Sequence, residues 1–567
     1  MLSTDQWYRQ LPLSLVSRTV PFVIPTLAIL VLTGSEAAWV LRDESVWNWD
    51  QAWYGQVTLD LDHTRASGLT SWIDAMLRAI GDKPPLLSWL AQMFVPLTGL
   101  FGSTEVALLM LNVVIEFATL ALVYSVSRRL GAGCVASLGA MFLCGGASLH
   151  MGLATQFVVE PLQSLSATGL IWAAWRSERL QLFALLSRVF FCVAVAFLAK
   201  SSSFVFVVPL LTYIVVARII DDGAFKDSIN LFDYFVGALA LLFVAMAIAW
   251  YVISWTPMVR HFTESVTTND ISLLYGHRGF FWEKVAFWIG ALSLSLSPSP
   301  WLLICILIPI SIAFACCWKG GLLAIRALPK EALKTGLLFA GVLAGIAILI
   351  VVGLANQVVE DPRYLAPIIP VLATLFSWSL GVVRNAIATW LLVAATISNA
   401  LVGIAFVHRL EHFNLSFASW LRQYEPDPRM KRMLTETVDL TCERNHQRYI
   451  FVGVEYYWFS ANPAAFYSAK GLRPRGFRCQ YTSLGYAEKN PQAAIDRLRA
   501  AKPEYFVTIA PERQVKPPDA FNQVNLPVLD MMAADPHFKL LDRQSPDVLI
   551  FKRIGQQPVS REEFRSY

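Results

Sequence analysis

VPFVIPTLAILVLTGSEAAWVLRDESVWNWDQAWYGQ, residues 20–56, is two different kinds of sequence joined at Arg42. Val20–Leu41 is predominantly apolar over the roughly 20 residues that a helix needs to cross a hydrocarbon core about 30 Å thick. From Arg42 the chain turns polar and aromatic and stays so to Lys83. An apolar span that opens into a loop rich in tryptophans and carboxylates is expected of a chain that crosses a membrane and then presents polar chemistry at its surface. The stretch before it, Met1 to Arg18, is too long and polar for a cleaved signal and is expected as a cytoplasmic lead into an uncleaved first span.

The rest of the chain repeats the apolar half. Of 567 residues, 56% are hydrophobic and 15% charged, against about 25% charged in soluble proteins. Further spans are expected at Glu105–Ser127, Ala132–Leu149, Met151–Trp175, Phe183–Leu198, Ser202–Val216, Phe235–Trp255, Trp301–Trp318, Gly336–Leu354, Tyr364–Leu380 and Ile387–Val407. Pro84–Gly102 starts at Pro-Pro and is interrupted by Pro96, and Phe281–Ser297 is short. Both are read as partial insertions, because basic residues then fall together on one side: Arg9 and Arg18, Arg128 and Arg129, Arg176, Arg179 and Arg188, Arg218 and Lys226, and Lys319 to Lys334. By the positive-inside bias that side is cytoplasmic, with about eleven full spans, or about thirteen if both segments cross.

From His408 onward no run is long enough to span, and helix-like and strand-like pieces alternate in an α/β pattern. RYIFVGVEYYWFSA (448–461) reads as a strand, NPQAAIDRLRAAKPEYFVTIA (490–510) as a helix entering a strand, and VLDMMAADPHFKLLDRQSPDVLIFKRI (528–554) as a helix followed by two short strands. Residues 1–407 are thus expected to form a transmembrane domain whose first outer loop covers about 42–83, and residues 408–567 an extracytoplasmic α/β domain. Cys442 and Cys479 are the two of eight cysteines outside apolar segments and are expected to pair if the tail faces an oxidising compartment. The run Tyr456-Tyr457-Trp458-Phe459 is expected to serve packing rather than glycan stacking. No glycine-rich phosphate loop or nucleotide fingerprint occurs, which argues against a soluble nucleotide cofactor. A net charge of +5 is too modest to suggest nucleic acid.

With the topology drawn, charged residues collect at the outer face: Asp43, Glu44, Asp50, Asp82, Lys83, Glu160, Lys200, His277, Arg278 and Arg363. Charges at membrane depth cost a few kcal/mol each unless they pair and face a cavity, so a shared cavity is expected. The four basic residues Lys83, Lys200, Arg278 and Arg363 suit an anionic group.

Four motifs make the reading specific. WDQAWYGQ carries Asp50 and Tyr54, DKPPLLSWL carries Asp82 and Lys83, FLAKSSS carries Lys200, and DPRYLAPIIP carries Arg363 and Tyr364. In content and order they resemble the GT-C class of polyprenyl-phosphate-sugar-dependent glycosyltransferases, in particular the family containing the protein O-mannosyltransferases and the lipid A aminoarabinose transferase. Asp50-Gln51 stands where that family has Asp-Glu, and Glu160 where Asp is usual. The resemblance implies a polytopic helical GT-C fold and an enzyme that moves a sugar from a polyprenyl-phosphate donor to an envelope glycolipid, polysaccharide or protein hydroxyl at the outer face of a bacterial inner membrane. Lys83, Lys200, Arg278 and Arg363 would bind the donor phosphate, and Asp50 would be the general base of an inverting displacement, with Asp43, Glu44 and Glu160 as the other carboxylates. Tyr54, Asp82, Glu160, His277 and Tyr364 would support substrate. A divalent metal is compatible with His277 and an acid but is not required. The alternative from another class is a secondary transporter or flippase of lipid-linked glycans, in which the charges would line a path.

Overall fold

The computed structural model describes residues 16–175, 177, 180–220, 229–267, 279–297, 330–357, 360–383, 386–408, 428–442, 448–471, 479–485, 488–514, 516, 521–541 and 547–555. Its first long helix, α1 (Val16–Val40), ends where the polar loop begins. The loop is itself helical. Helix α2 (Trp49–Arg65) is capped by the Asn48 side chain, which accepts from the Gln51 N–H, and α3 (Leu69–Arg78) follows. The Pro-Pro segment breaks into short pieces, α4 (Leu86–Ala91) and α5 (Thr98–Phe101), neither long enough to cross a bilayer.

The membrane bundle continues with α6 (Thr104–Arg129), α7 (Cys134–Gly145), α8 (Ser148–Ala154), α9 (Glu160–Ala174), α10 (Leu182–Ala199), α11 (Phe204–Ile220), α12 (Leu231–Thr267), α13 (Phe281–Leu296), α14 (Lys330–Ala355), α15 (Ile368–Val383) and α16 (Ala386–His408). Among the described residues, seven helices are long and apolar enough to span, or eight if α7 and α8 count as one broken span. Exposed Leu27, Val31, Ile219, Leu241 and Val252 line the outside of the bundle, as lipid-facing positions should. The expected span at Trp301–Trp318 lies outside the described residues.

Two expected spans are corrected. Ala132–Leu149 is bent by 62° between α7 and α8. Met151–Trp175 breaks again before Glu160-Pro161, where proline starts α9. The first break has a packing cause. A Cβ on Gly146 would lie 2.6 Å from Ala400, so α16 approaches the α7–α8 corner closely enough to require glycine there.

Beyond α16 come α17 (Pro428–Thr441), β1 (Tyr449–Val452), α18 (Ala461–Gly471), β2 (Gln480–Ser483), α19 (Pro491–Ala501), β3 (Tyr505–Ile509), α20 (Asn525–Ala533), β4 (Phe538–Leu540) and β5 (Val548–Arg553). The sheet order is β2-β1-β3-β5-β4, with β1 parallel to β2 and β3 and β5 antiparallel to β3 and β4. The register places Phe451, Phe506 and Phe551 side by side. They pack with Ile495, Leu498, Val528 and Met532 of α19 and α20. Alternate residues Ile450, Val452, Tyr505 and Val507 turn to the opposite face and join a core shared with the first loop. Cys442 and Cys479 are joined as a disulfide. Tyr456 and Phe459 bridge across a turn rather than continue β1, and Phe459 is buried.

The tail sits directly on the loop. Trp47 is stacked between Phe157 and Phe466, at centroid distances of 5.2 and 4.7 Å. Gly55 lets α2 pass over this stack, since a Cβ there would lie 2.6 Å from the Trp47 ring. At the N-terminal end of α6, buried Glu105 holds Lys470 of α18 at 2.7 Å and Lys431 of α17 at 3.3 Å. The loop helix and the sheet therefore share one face of the bundle.

Candidate active site

Asp50 lies in the first turn of α2, whose N-terminal N–H groups favour a carboxylate there. Two cations from distant elements meet its two oxygens. Lys83 Nζ is 3.4 Å from Oδ1, and Arg363 Nη1 is 3.0 Å from Oδ2. Burial alone would push the Asp50 carboxyl up, but Lys83 and Arg363 outweigh it and hold the group well below the usual carboxylate range. Asp50 and Lys83 each keep about 30% of their side-chain surface exposed, 31% and 29% respectively, so the pair opens onto solvent.

Each cation is positioned by its own local structure. Lys83 is delivered by the turn after α3, where buried Ile80 takes φ 51°, a strained conformation for a β-branched residue. Its ammonium lies 4.6 Å from the Trp53 ring centroid. Arg363 sits in a 3₁₀ turn, Pro362–Leu365, capped by Asp361. The Asp361 carboxylate accepts from both the Arg363 backbone N–H and Nε, at 3.0 and 2.7 Å, which fixes the guanidinium. Lys200 caps the C-terminus of α10, donates to Glu160 Oε1 at 2.8 Å and lies 4.0 Å over the Tyr364 ring. Glu160 Oε2 is buried and makes no hydrogen bond among the described residues.

The structure thus gathers Asp50, Lys83, Glu160, Lys200, Arg363 and Tyr364 from five separate stretches of chain. Tyr54 is buried on α2, within electrostatic reach of Asp50, Glu160 and Asp82. His277 and Arg278 lie outside the described residues. The rival carboxylates separate from the group. Glu44 is exposed, and Asp43 accepts from the Ser45 N–H and faces Lys431 and Glu105 beneath the tail.

Three groups were not singled out from sequence. Asp361 was inside the quoted motif, and its i, i+2 spacing to Arg363 is the only local signal of its role. Trp53 sits in the first-loop motif one residue from Tyr54. Glu455 of the tail carries no signal at all. It lies against Trp49 and Ser483, where burial pushes its carboxyl up to about 7.

Comparison with known proteins bears on the fold that carries these residues. The sequence model of the dolichyl-phosphate-mannose-protein mannosyltransferase family matches residues 82–250. No curated protein matches the chain in sequence. ArnT from Cupriavidus metallidurans superposes with TM-scores of 0.52 in the apo state and 0.53 bound to undecaprenyl phosphate, at 13% and 14% identity, over 95% of this chain and 100% of ArnT. The arabinofuranosyltransferase AftD from Mycobacteria superposes with a TM-score of 0.52 at 12% identity, over 94% of this chain and 40% of AftD. The chain is a multi-pass membrane protein with the GT-C glycosyltransferase fold, and it resembles the protein mannosyltransferases and the aminoarabinose transferase.

Proposed function

We propose that this chain transfers a sugar from a polyprenyl-phosphate donor to an acceptor hydroxyl, on the outer side of a bacterial inner membrane. The observation that carries the proposal is the Asp50 carboxylate held between Lys83 and Arg363 at an open, half-buried face. The match to a structure bound to undecaprenyl phosphate supports the donor class. The outward orientation rests on the basic residues Arg128, Arg129 and Arg218 in the last turns of α6 and α11, at the helix ends away from the site.

The chemistry follows from charge. In a displacement at the anomeric carbon, the acceptor oxygen forms the new bond as its proton passes to Asp50. The anomeric C–O bond breaks with its electron pair going to the polyprenyl phosphate, which gains a negative charge, and the configuration inverts. Lys83, Lys200 and Arg363 are the cations whose attraction grows as that charge develops. When a donor phosphate engages Lys83 and Arg363, it draws them from Asp50. The carboxylate then loses the partners that keep it a weak base, and becomes a stronger one as substrate arrives. Glu160, whose Oε2 has no partner among the described residues, steadies Lys200 and would accept from a sugar hydroxyl. The acceptor proposed is an envelope glycolipid or polysaccharide, ahead of a protein hydroxyl.

Mass spectrometry of envelope lipids from cells with and without the protein tests the proposal. One glycolipid class should lose a single sugar on deletion and regain it with the wild-type chain but not with Asp50→Asn. Unchanged glycolipids and polysaccharides, together with accumulation of a lipid-linked glycan on the cytoplasmic leaflet, would indicate a flippase instead.

A further inference from the structure

Below the outer face, a second set of ionisable side chains lies wholly inside the bundle and takes no part in the chemistry above. Glu36 comes from α1, Glu116 from α6, Cys144 from the end of α7 and His150 from α8, all of them buried. One oxygen of Glu116, the Cys144 sulfur and a ring nitrogen of His150 lie within 4.8 Å of one another. His150 Nδ1 is 3.2 and 3.3 Å from the two Glu116 oxygens and 3.8 Å from Cys144 Sγ. Ligands bound at 2.0–2.3 Å around a tetrahedral zinc stand roughly 3.3–3.6 Å apart, close to this spacing.

Two further observations point to a cation. The other ring nitrogen of His150, Nε2, lies 3.2 Å from the Ala366 carbonyl. A carbonyl only accepts, so Nε2 carries the proton, and in the neutral ring the Nδ1 lone pair then faces a carboxylate and a sulfur. Three electron-rich atoms facing one another need a positive centre between them, and a backbone carbonyl behind the far nitrogen is the usual support of a metal-bound histidine. The second observation is Glu36. Both of its oxygens are buried and have no hydrogen-bond partner among the described residues, and they lie within electrostatic reach of Glu116, His150 and Cys144. Two carboxylates with one histidine leave a deficit of positive charge that a divalent ion removes.

We infer that Glu116, Cys144 and His150 bind a divalent transition metal of the zinc type inside the membrane, with Glu36 outside the ligand set but near enough for its charge to favour the ion. The mixed oxygen, sulfur and nitrogen donors favour zinc over magnesium or calcium. Glu116 stands eleven residues into α6 from Glu105, about 16 Å along the helix axis, so the ion would lie well below the tail contact. Its role would be structural. It would tie α6 and the bent α7–α8 corner together, and through His150 and Ala366 it would brace the turn that carries Arg363.

The test uses the full chain purified through a tag without histidines. After exposure to Zn2+ and removal of excess, elemental analysis should find stoichiometric zinc in the wild type, and near-background zinc in Cys144→Ser and His150→Gln. Substitution with Co2+ should give a thiolate-to-cobalt charge-transfer band that Cys144→Ser abolishes. Cys144→Ser is a nearly isosteric change, so elution as a monodisperse species in detergent guards against loss by misfolding. If wild-type protein retains no zinc and shows no cobalt–thiolate band, the cluster holds protons, as a His150–Glu116 ion pair beside a neutral Glu36, and the inference fails. Zinc retained equally by wild type and both variants would overturn it as well.

Discussion

Asp50→Asn should lower the transfer rate by about 10²–10⁴, the usual effect of losing a general base, while donor binding is largely kept. The amide preserves size and can still hydrogen-bond Lys83 and Arg363, but it cannot take the acceptor proton. The fall should therefore appear in kcat and kcat/KM with little change in donor affinity. The ion pairs predict a pH signature too. Because Lys83 and Arg363 hold the free-enzyme carboxyl below its ordinary range, Asp50 stays ionised as pH falls through that range. The acid limb of wild-type kcat/KM should lie below about pH 4. Measurement of rate and donor affinity for purified protein in nanodiscs checks both. A wild-type rate in Asp50→Asn would move the base elsewhere, first to Glu160.

Arg363→Ala should behave differently. It removes a cation facing a phosphate that is already anionic in the ground state, so donor affinity and rate should both fall. One charge-assisted hydrogen bond is worth about 1.5–3 kcal/mol, or roughly ten- to a hundredfold in binding. The loss in kcat/KM should exceed the loss in affinity, because the attraction grows as the phosphate gains charge. Lys83→Ala should follow the same pattern less steeply, since its contact with Asp50 is longer and a lysine cannot grip two oxygens in parallel. The assay pairs polyprenyl-phosphate-sugar binding with single-turnover transfer. Unchanged binding in both variants would remove the donor-phosphate role from this face.

The clustering of Asp50, Lys83, Glu160, Lys200 and Arg363 was legible in sequence because most of them sit in short motifs with distinctive neighbours. Lys83 precedes Pro-Pro, and Arg363 follows Asp-Pro. The choice between Asp50 and Asp43 was open, since both follow the first span. What separates them is three-dimensional: a cap at Asn48 starts α2 so that Asp50 faces Lys83, whereas Asp43 turns toward Lys431. The α7–α8 break was hidden because hydropathy continues across Gly145-Gly146, and its packing cause is the approach of Ala400 from a distant part of the chain. The α/β tail was readable at β1, at the α19–β3 pair and at α20, β4 and β5, where short apolar runs or helical periodicity stand out. The helices α17 and α18 and strand β2 were not read, although α17 buries Leu434, Thr437, Val438 and Thr441 along one helical face; α18 and β2 are buried against the first loop and beside Cys442–Cys479. The buried Glu36, Glu116, Cys144 and His150 each look like an isolated polar residue in an apolar run, and only the fold makes them a group.

Single-particle imaging of the full chain with undecaprenyl phosphate tests the donor site most directly. The phosphate should bind within hydrogen-bond distance of Lys83 and Arg363, with Lys200 nearby, and Asp50 should be freed of at least one of its two ion pairs. A phosphate bound elsewhere, with Lys83 and Arg363 still closed on Asp50, would contradict the proposed function.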